Sequence, residues 1–101
     1  MNILTHRFYR GSNLVTRCIA GETLLVPVRD QAADLDAIYA LNEVGSRIWE
    51  LLDGQTSVCQ IVEVICQSYD VPSAEAVQDV VEFLSSLEEA DLIYPAVPGG
   101  S

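Results

Sequence analysis

A chain of 101 residues, half of them hydrophobic, suffices for one packed domain and leaves little over. Its formal net charge of −10 argues against nucleic acid and anionic membranes as partners. No apolar run is long enough to span a bilayer, and MNILTHRFYRGSN lacks a signal-peptide h-region, so a cytoplasmic protein is expected.

In chain order, residues 1–13 read as an N-terminal arm. It holds His6, the single histidine, which suits a surface position better than a catalytic one. Residues 13–20 (NLVTRCIA) and 23–28 (TLLVPV) are strand-like runs rich in β-branched side chains, with Gly21-Glu22 as the turn between them. Pro27 cannot donate to a ladder and belongs at an edge or past the paired part. Residues 29–34 form a polar stretch without glycine, expected as a loop. A third short strand follows over residues 36–41 (DAIYAL), with Ala37, Tyr39 and Leu41 on one face and Ile38 and Ala40 on the other.

Helix 1 is expected to start at Asn42, a good N-cap, with Glu43 near its positive end. Val44, Ile48, Leu51 and Leu52 make its apolar stripe, Trp49 lies at the stripe's edge, and Asp53-Gly54 stops it. Gly45 sits in the first turn, where alanine is better by about 1 kcal/mol, which suggests a close approach by another element. Ser57 and Gln60 have capping-box spacing for helix 2, whose face is Val58, Ile61, Val62, Ile65, Cys66 and Tyr69. Ser73 is read as the cap of helix 3, which runs to about Ala90. Its apolar residues Ala76, Val77, Val80, Val81, Phe83, Leu84 and Leu87 cover an arc wider than the roughly 100° stripe a core-facing helix needs. That surplus either lines a pocket or is absorbed by a small core. Leu92-Ile93-Tyr94 reads as a closing strand, and residues 95–101 as a disordered tail. The expected domain therefore spans residues 14–94.

The charge is lopsided. Every basic residue is arginine, and Arg7, Arg10, Arg17 and Arg29 precede Asp30, with Glu22 as the one acid among them. The acidic body favours a basic or neutral partner, or serves plain solubility. Cys59 and Cys66 lie roughly 10 Å apart along one helix, too far for a disulfide. Cys18 is able to pair with one of them, leaving an odd thiol, or all three are free small hydrophobes in a reducing compartment. No metal or cofactor motif is present. With no lysine, one peripheral histidine and buried-looking thiols, acid–base and nucleophilic catalysis lack a constellation, so no enzyme is expected.

The run YALNEVGSRIWELLDGQTSVCQIVEVICQSYDV, followed by DVVEFLSSLEEADLI, resembles the PqqD-like family. Its most specific part is Tyr39-Ala40-Leu41-Asn42-Glu43-x-Gly45 with Trp49 and Leu51-Leu52-Asp53-Gly54; the strands match only in character. The resemblance implies an α+β, winged helix-turn-helix-like fold, a three-stranded antiparallel sheet followed by three helices. It also implies a recognition element for ribosomally made, modified peptides: a non-catalytic chaperone, without cofactor, that binds the leader of a precursor peptide by strand addition. Its second partner is a modifying enzyme, often a radical S-adenosylmethionine protein, and the chaperone is a monomer or weak homodimer. Carried over here, the peptide-binding residues are Asp36, Ala37, Ile38, Tyr39, Ala40 and Leu41 on the strand, and Ala76, Asp79, Val80, Phe83 and Leu87 on the third helix. Asp79 and Glu82 are placed to meet basic leader residues. Pro27 in the middle strand and the missing glycine turn over residues 29–34 depart from the family pattern. The alternatives are a general interaction or scaffold module and a winged-helix DNA binder. The latter is disfavoured because Glu75, Asp79, Glu82, Glu88 and Glu89 stud the helix that enters the groove in such proteins.

Overall fold

The computed structural model describes residues 3–29, 32–33 and 38–96. After a 3-10 turn (Ile3–Thr5) come strands β1 (Arg7–Arg10), β2 (Leu14–Ile19), β3 (Glu22–Arg29), β4 (Ala32–Ala33) and β5 (Tyr39–Leu41). Helix α1 (Glu43–Glu50), strand β6 (Asp53–Ser57), helices α2 (Val58–Tyr69) and α3 (Ser73–Glu89), and strand β7 (Ile93–Pro95) complete the described chain. The expected antiparallel sheet is β2-β3-β5, with β4 also paired to β3, and the three helices follow it.

The β2–β3 ladder is regular over all its pairs, from Leu14 opposite Pro27 to Ile19 opposite Glu22. The hairpin turn is therefore Ala20-Gly21, one residue earlier than expected. Both residues have positive φ, 53° and 83°, as a two-residue turn matching the strand twist requires. Glycine adopts this freely, whereas alanine in the left-handed region costs about 1–2 kcal/mol. Ala20→Asn supplies a residue that tolerates the conformation, and it should raise stability by about 0.5–1 kcal/mol, read as a higher Tm in a thermal melt.

Pro27 does not shorten the sheet. The Val28 N–H donates to the Asn13 carbonyl at 2.9 Å, so Val28, Val26 and Leu24 face β2. Alternation turns Thr23, Leu25 and Pro27 toward the opposite side, and Pro27 lies past the last described pair with β5, Leu25 opposite Tyr39. The N–H it lacks is one that the β2–β3 ladder never uses. Beyond it, Val28 and Arg29 pair with Ala33 and Ala32. The expected loop is thus partly strand, because backbone groups past Pro27 still need partners. Residues 36 and 37 of the expected third strand lie outside the described residues.

A second sheet, β6-β1-β7, was not legible in the sequence. Residues read as an arm supply its middle strand, which buries Phe8 in the core. His6 is half-buried with its ring edge-on to Phe8, and its carbonyl accepts from the Val58 N–H at 2.9 Å. Pro95 belongs to β7 rather than to a tail, and the Ala96 N–H bonds the Arg7 carbonyl at 2.7 Å. Residues 97–101 lie outside the described chain.

Strand β6 begins with a polar turn organised by Asp53. Its Oδ1 accepts from the N–H groups of Gln55 (2.9 Å) and Thr56 (2.8 Å), and its Oδ2 from the Thr56 hydroxyl (3.1 Å). The backbone donors of Gln55 and then Thr56 hold this carboxyl below its ordinary value. A pKa lowered by folding adds stability above the unfolded value, and that contribution is lost as pH falls through the folded one. Asp53→Asn should therefore melt lower than the parent at neutral pH, and the gap should close in acid.

The helices follow the sequence closely. Asn42 caps α1 by accepting the Gly45 N–H at 2.8 Å, and Ser57 and Gln60 form the reciprocal capping box of α2. Such caps are worth about 1 kcal/mol each. Pro72, not Ser73, occupies the cap position of α3, and its fixed φ of −58° suits that place. Trp49 is not at the stripe's edge but in the core, with the Arg10 guanidinium 6.0 Å from its ring centroid. The core joins Leu25 and Leu41 of the first sheet, Phe8 and Ile93 of the second, and the inner faces of all three helices. Cys18, Cys59 and Cys66 are free; the first two are exposed and only Cys66 is half-buried, which corrects the reading of these thiols as buried. Among the described residues, no helix is long and apolar enough to cross a membrane.

Candidate functional site

Among the described residues, strand β5 pairs with β3 on one side only. Leu41 lies opposite Thr23 and Tyr39 opposite Leu25, and both members of each pair turn their N–H and C=O groups toward one another. Ala40 and Ile38 alternate with them and present their backbone groups outward. No described residue bonds the N–H or C=O of Ala40. Leu41 is buried and Tyr39 half-buried on the core face, while the side chains of Ala40 and Ile38 are exposed on the other.

Helix α1 starts one residue after β5, and here the sequence supplies an unusual opening. A Cβ on Gly45 would lie 3.3 Å from Asn42 Oδ1, 3.4 Å from Leu41 Cβ and 3.4 Å from Phe83 Cε1. The close approach expected at Gly45 is thus made by Phe83 of α3. Beside this contact opens a groove of about 270 Å³, lined by Asn42, Val44, Gly45, Ile48, Asp79 and Phe83. Its floor is apolar and its rim carries one carboxylate. Asp79 and Phe83 lie four apart on α3 and so share a helix face.

The residues expected to bind peptide divide between two environments. Ile38, Tyr39, Ala40 and Leu41 form or flank the free edge, and Asp79 and Phe83 line the groove. Ala76, Val80 and Leu87 do not reach it: they are 1%, 0% and 0% exposed, in the core. Helix α3 packs against α2 and β7, and that side takes Ala76, Val80, Leu84 and Leu87. Part of the surplus arc is core, and the part left over is Phe83, with Val77 and Val81 half-buried. Asp36 and Ala37 lie outside the described residues. Glu82 is exposed and takes a 3.4 Å hydrogen bond from Gln78. Sequence reasoning missed Asn42, Val44 and Ile48 as groove residues; the signal available was Gly45, placed where only its missing side chain leaves space.

Comparison with known proteins adds to this geometry. The family model described as coenzyme PQQ synthesis protein D (PqqD) matches residues 22–93, from the start of β3 into β7. The chain belongs to the PqqD family. Among solved structures, it is similar to TbiB1 in complex with the TbiA(beta) leader peptide, at 28% identity and a TM-score of 0.70. That likeness covers 84% of this chain and 93% of TbiB1. No individually curated protein matches it. The PqqD match includes both halves of the candidate site, the β5 edge and the groove, and leaves β1 and β2 outside it.

Proposed function

We propose that this PqqD-family protein binds the leader segment of a ribosomally made precursor peptide and presents it to a modifying enzyme. The observation that carries this reading is the backbone of Ala40, unpaired among the described residues, beside an apolar groove. An extended peptide satisfies such an edge by adding a strand, and backbone pairing is tolerant of sequence. Selectivity then needs a pocket for side chains, which the groove between α1 and α3 supplies. Strand β2 also has a side unpaired among the described residues, but the groove between α1 and α3 has no β2 residue in its lining. The peptide seats an apolar side chain over Val44, Ile48 and Phe83 and brings a basic residue to Asp79, with Glu82 further along the same helix.

In this reading the protein is a non-catalytic chaperone acting in the cytoplasm, where precursor peptides are made. The enzyme it serves is of the radical S-adenosylmethionine type common in the family. The leader complex of TbiB1 supports the peptide-binding half of the proposal. Titration with the leader of the precursor encoded beside its gene tests it, combined with amide hydrogen exchange. Micromolar or tighter binding is expected, with new protection at Ile38 and Ala40 and none at Thr16. Failure of that peptide to bind, while the enzyme binds alone, would leave a scaffold module instead.

A further inference from the structure

Among the described residues, Val15, Ile19 and Ile38 stand out as large apolar side chains left 41%, 59% and 42% exposed. All three lie on the outer face of the β2-β3-β5 sheet, away from the core that Leu25 and Leu41 enter on the other side. The register fixes that face. Val15 pairs with Val26, Arg17 with Leu24 and Ile19 with Glu22, and Leu24 pairs in turn with Ala40. Ile38, two residues before Ala40, points the same way. Leu24 and Val26 are half-buried here, whereas Thr23, Leu25 and Pro27 on the helix side are buried. Of these outward residues only Arg17 and Glu22 are charged. An apolar surface of this kind marks a contact.

The edge beside this face decides what touches it. A strand that pairs with β5 sends successive side chains to opposite faces of the sheet. One set goes to the groove between α1 and α3. The other set lands on the outer face, next to Ile38 and Ala40. We propose, resting on the strand addition proposed above, that Ile38, Ala40 and Leu24 form a second subsite for the leader. It selects a large uncharged side chain at the leader residue opposite Ala40.

Size follows from Ala40 itself. In an antiparallel addition, the direction in which β3 and β5 already pair, one leader residue exchanges both backbone bonds with Ala40. Its side chain shares the outer face, with the two Cβ atoms about 5 Å apart. The alanine methyl is the smallest group there, and it leaves the half-buried Leu24 open from that side. A leucine, methionine or aromatic side chain is long enough to lie across Ala40 onto Leu24 and against Ile38. A small one leaves both wet, and a charged one loses water beside apolar groups. Arg17 lies beyond Leu24, one strand further away. Burial on both faces makes the docking segment apolar at consecutive positions, whereas a strand read from the groove alone needs apolar residues only at alternate ones.

The leader of the precursor encoded beside the gene is the probe. Ala40→Cys in a Cys18→Ser, Cys59→Ser chain is mildly oxidised with leaders carrying one cysteine each. A hydrogen-bonded pair sets Cα atoms about 5.5 Å apart, within disulfide range, so the leader that links fastest names the residue opposite Ala40. That residue should be large and uncharged, and replacing it by alanine should weaken binding about 10-fold in a calorimetric titration. Ala40→Leu fills the same space, so it should weaken the parent leader about 10-fold and bind the alanine-bearing leader at least as well as the parent protein does. Ile38→Ser should weaken the parent leader several-fold, while Ile19→Ser, on the same face but at β2, leaves it unchanged. All three side chains are exposed, so a thermal melt should show the variants folded. A small or charged residue opposite Ala40, or no linked position, overturns the subsite. So do Ala40→Leu and Ile38→Ser chains that bind like the parent, or an Ile19→Ser chain that loses the peptide. In those cases a leader that still binds leaves the edge and groove reading standing; a leader that binds no form of the protein overturns both.

Discussion

Ala40→Pro is expected to weaken leader binding about 100-fold while leaving the domain folded. The register decides this. Tyr39 and Leu41 make the hydrogen bonds to Leu25 and Thr23, and Ala40 alternates between them with its N–H turned to solvent. Proline removes that N–H and places its ring where an added strand would lie, but it takes nothing from the ladder to β3. Leaving one peptide carbonyl unpaired and losing the bond itself amounts to about 2–3 kcal/mol, on the order of 100-fold in Kd. Calorimetric titration measures the first effect, and a thermal melt the second, where a fall of a few degrees is expected at most. The same change at Thr16, on the outward side of β2, should leave leader affinity as it was. If Ala40→Pro binds like the parent, the peptide is not held by β5. If Thr16→Pro loses the peptide instead, strand addition occurs at the other border.

The sequence made some of this site readable and hid the rest for physical reasons. Helix caps are local chemistry, and Asn42, Ser57 and Gln60 behave as their side chains and spacing require. Strand pairing is not local. Nothing near Arg7–Arg10 announces that Phe8 will be buried, because the strands that cover it come from residues 53–57 and 93–95. An apolar residue flanked by arginines and a tyrosine looks like an arm until its distant partners are known. The α3 arc shows the limit of periodicity. The wheel reveals that the apolar residues of α3, with Val77, Val81 and Leu84 beside Ala76, Val80, Phe83 and Leu87, exceed one stripe, but not which of them faces α2 and which faces α1. Only the packing of α3 on α2 and β7 settles that, leaving Phe83 with the groove. Pro27 is the reverse case. It seemed to interrupt a middle strand, yet alternation turns its missing N–H away from β2, at a position past the last described pair with β5.

Gly45→Leu should lower both stability and leader affinity, against the trend of helix propensity. In an open helix turn the replacement gains about 0.8–1 kcal/mol. Here the added Cβ starts 3.3–3.4 Å from Asn42 Oδ1, Leu41 Cβ and Phe83 Cε1, and the rest of the side chain has to enter the groove or displace Phe83. Overpacking costs typically 1–3 kcal/mol, so the net change is destabilising by about 1 kcal/mol. Affinity falls further, on the order of 100-fold, because a leucine side chain fills much of the space that the peptide's anchor needs. Gly45→Ala separates the two terms: its single methyl is tight but not prohibitive, so its Tm should stay near the parent's, and its affinity should drop less than for leucine. A Gly45→Leu variant that melts higher than the parent would show that Phe83 moves aside easily. One that also binds the leader as tightly would show that the groove between α1 and α3 does not hold the peptide, leaving the edge of β5 to act alone.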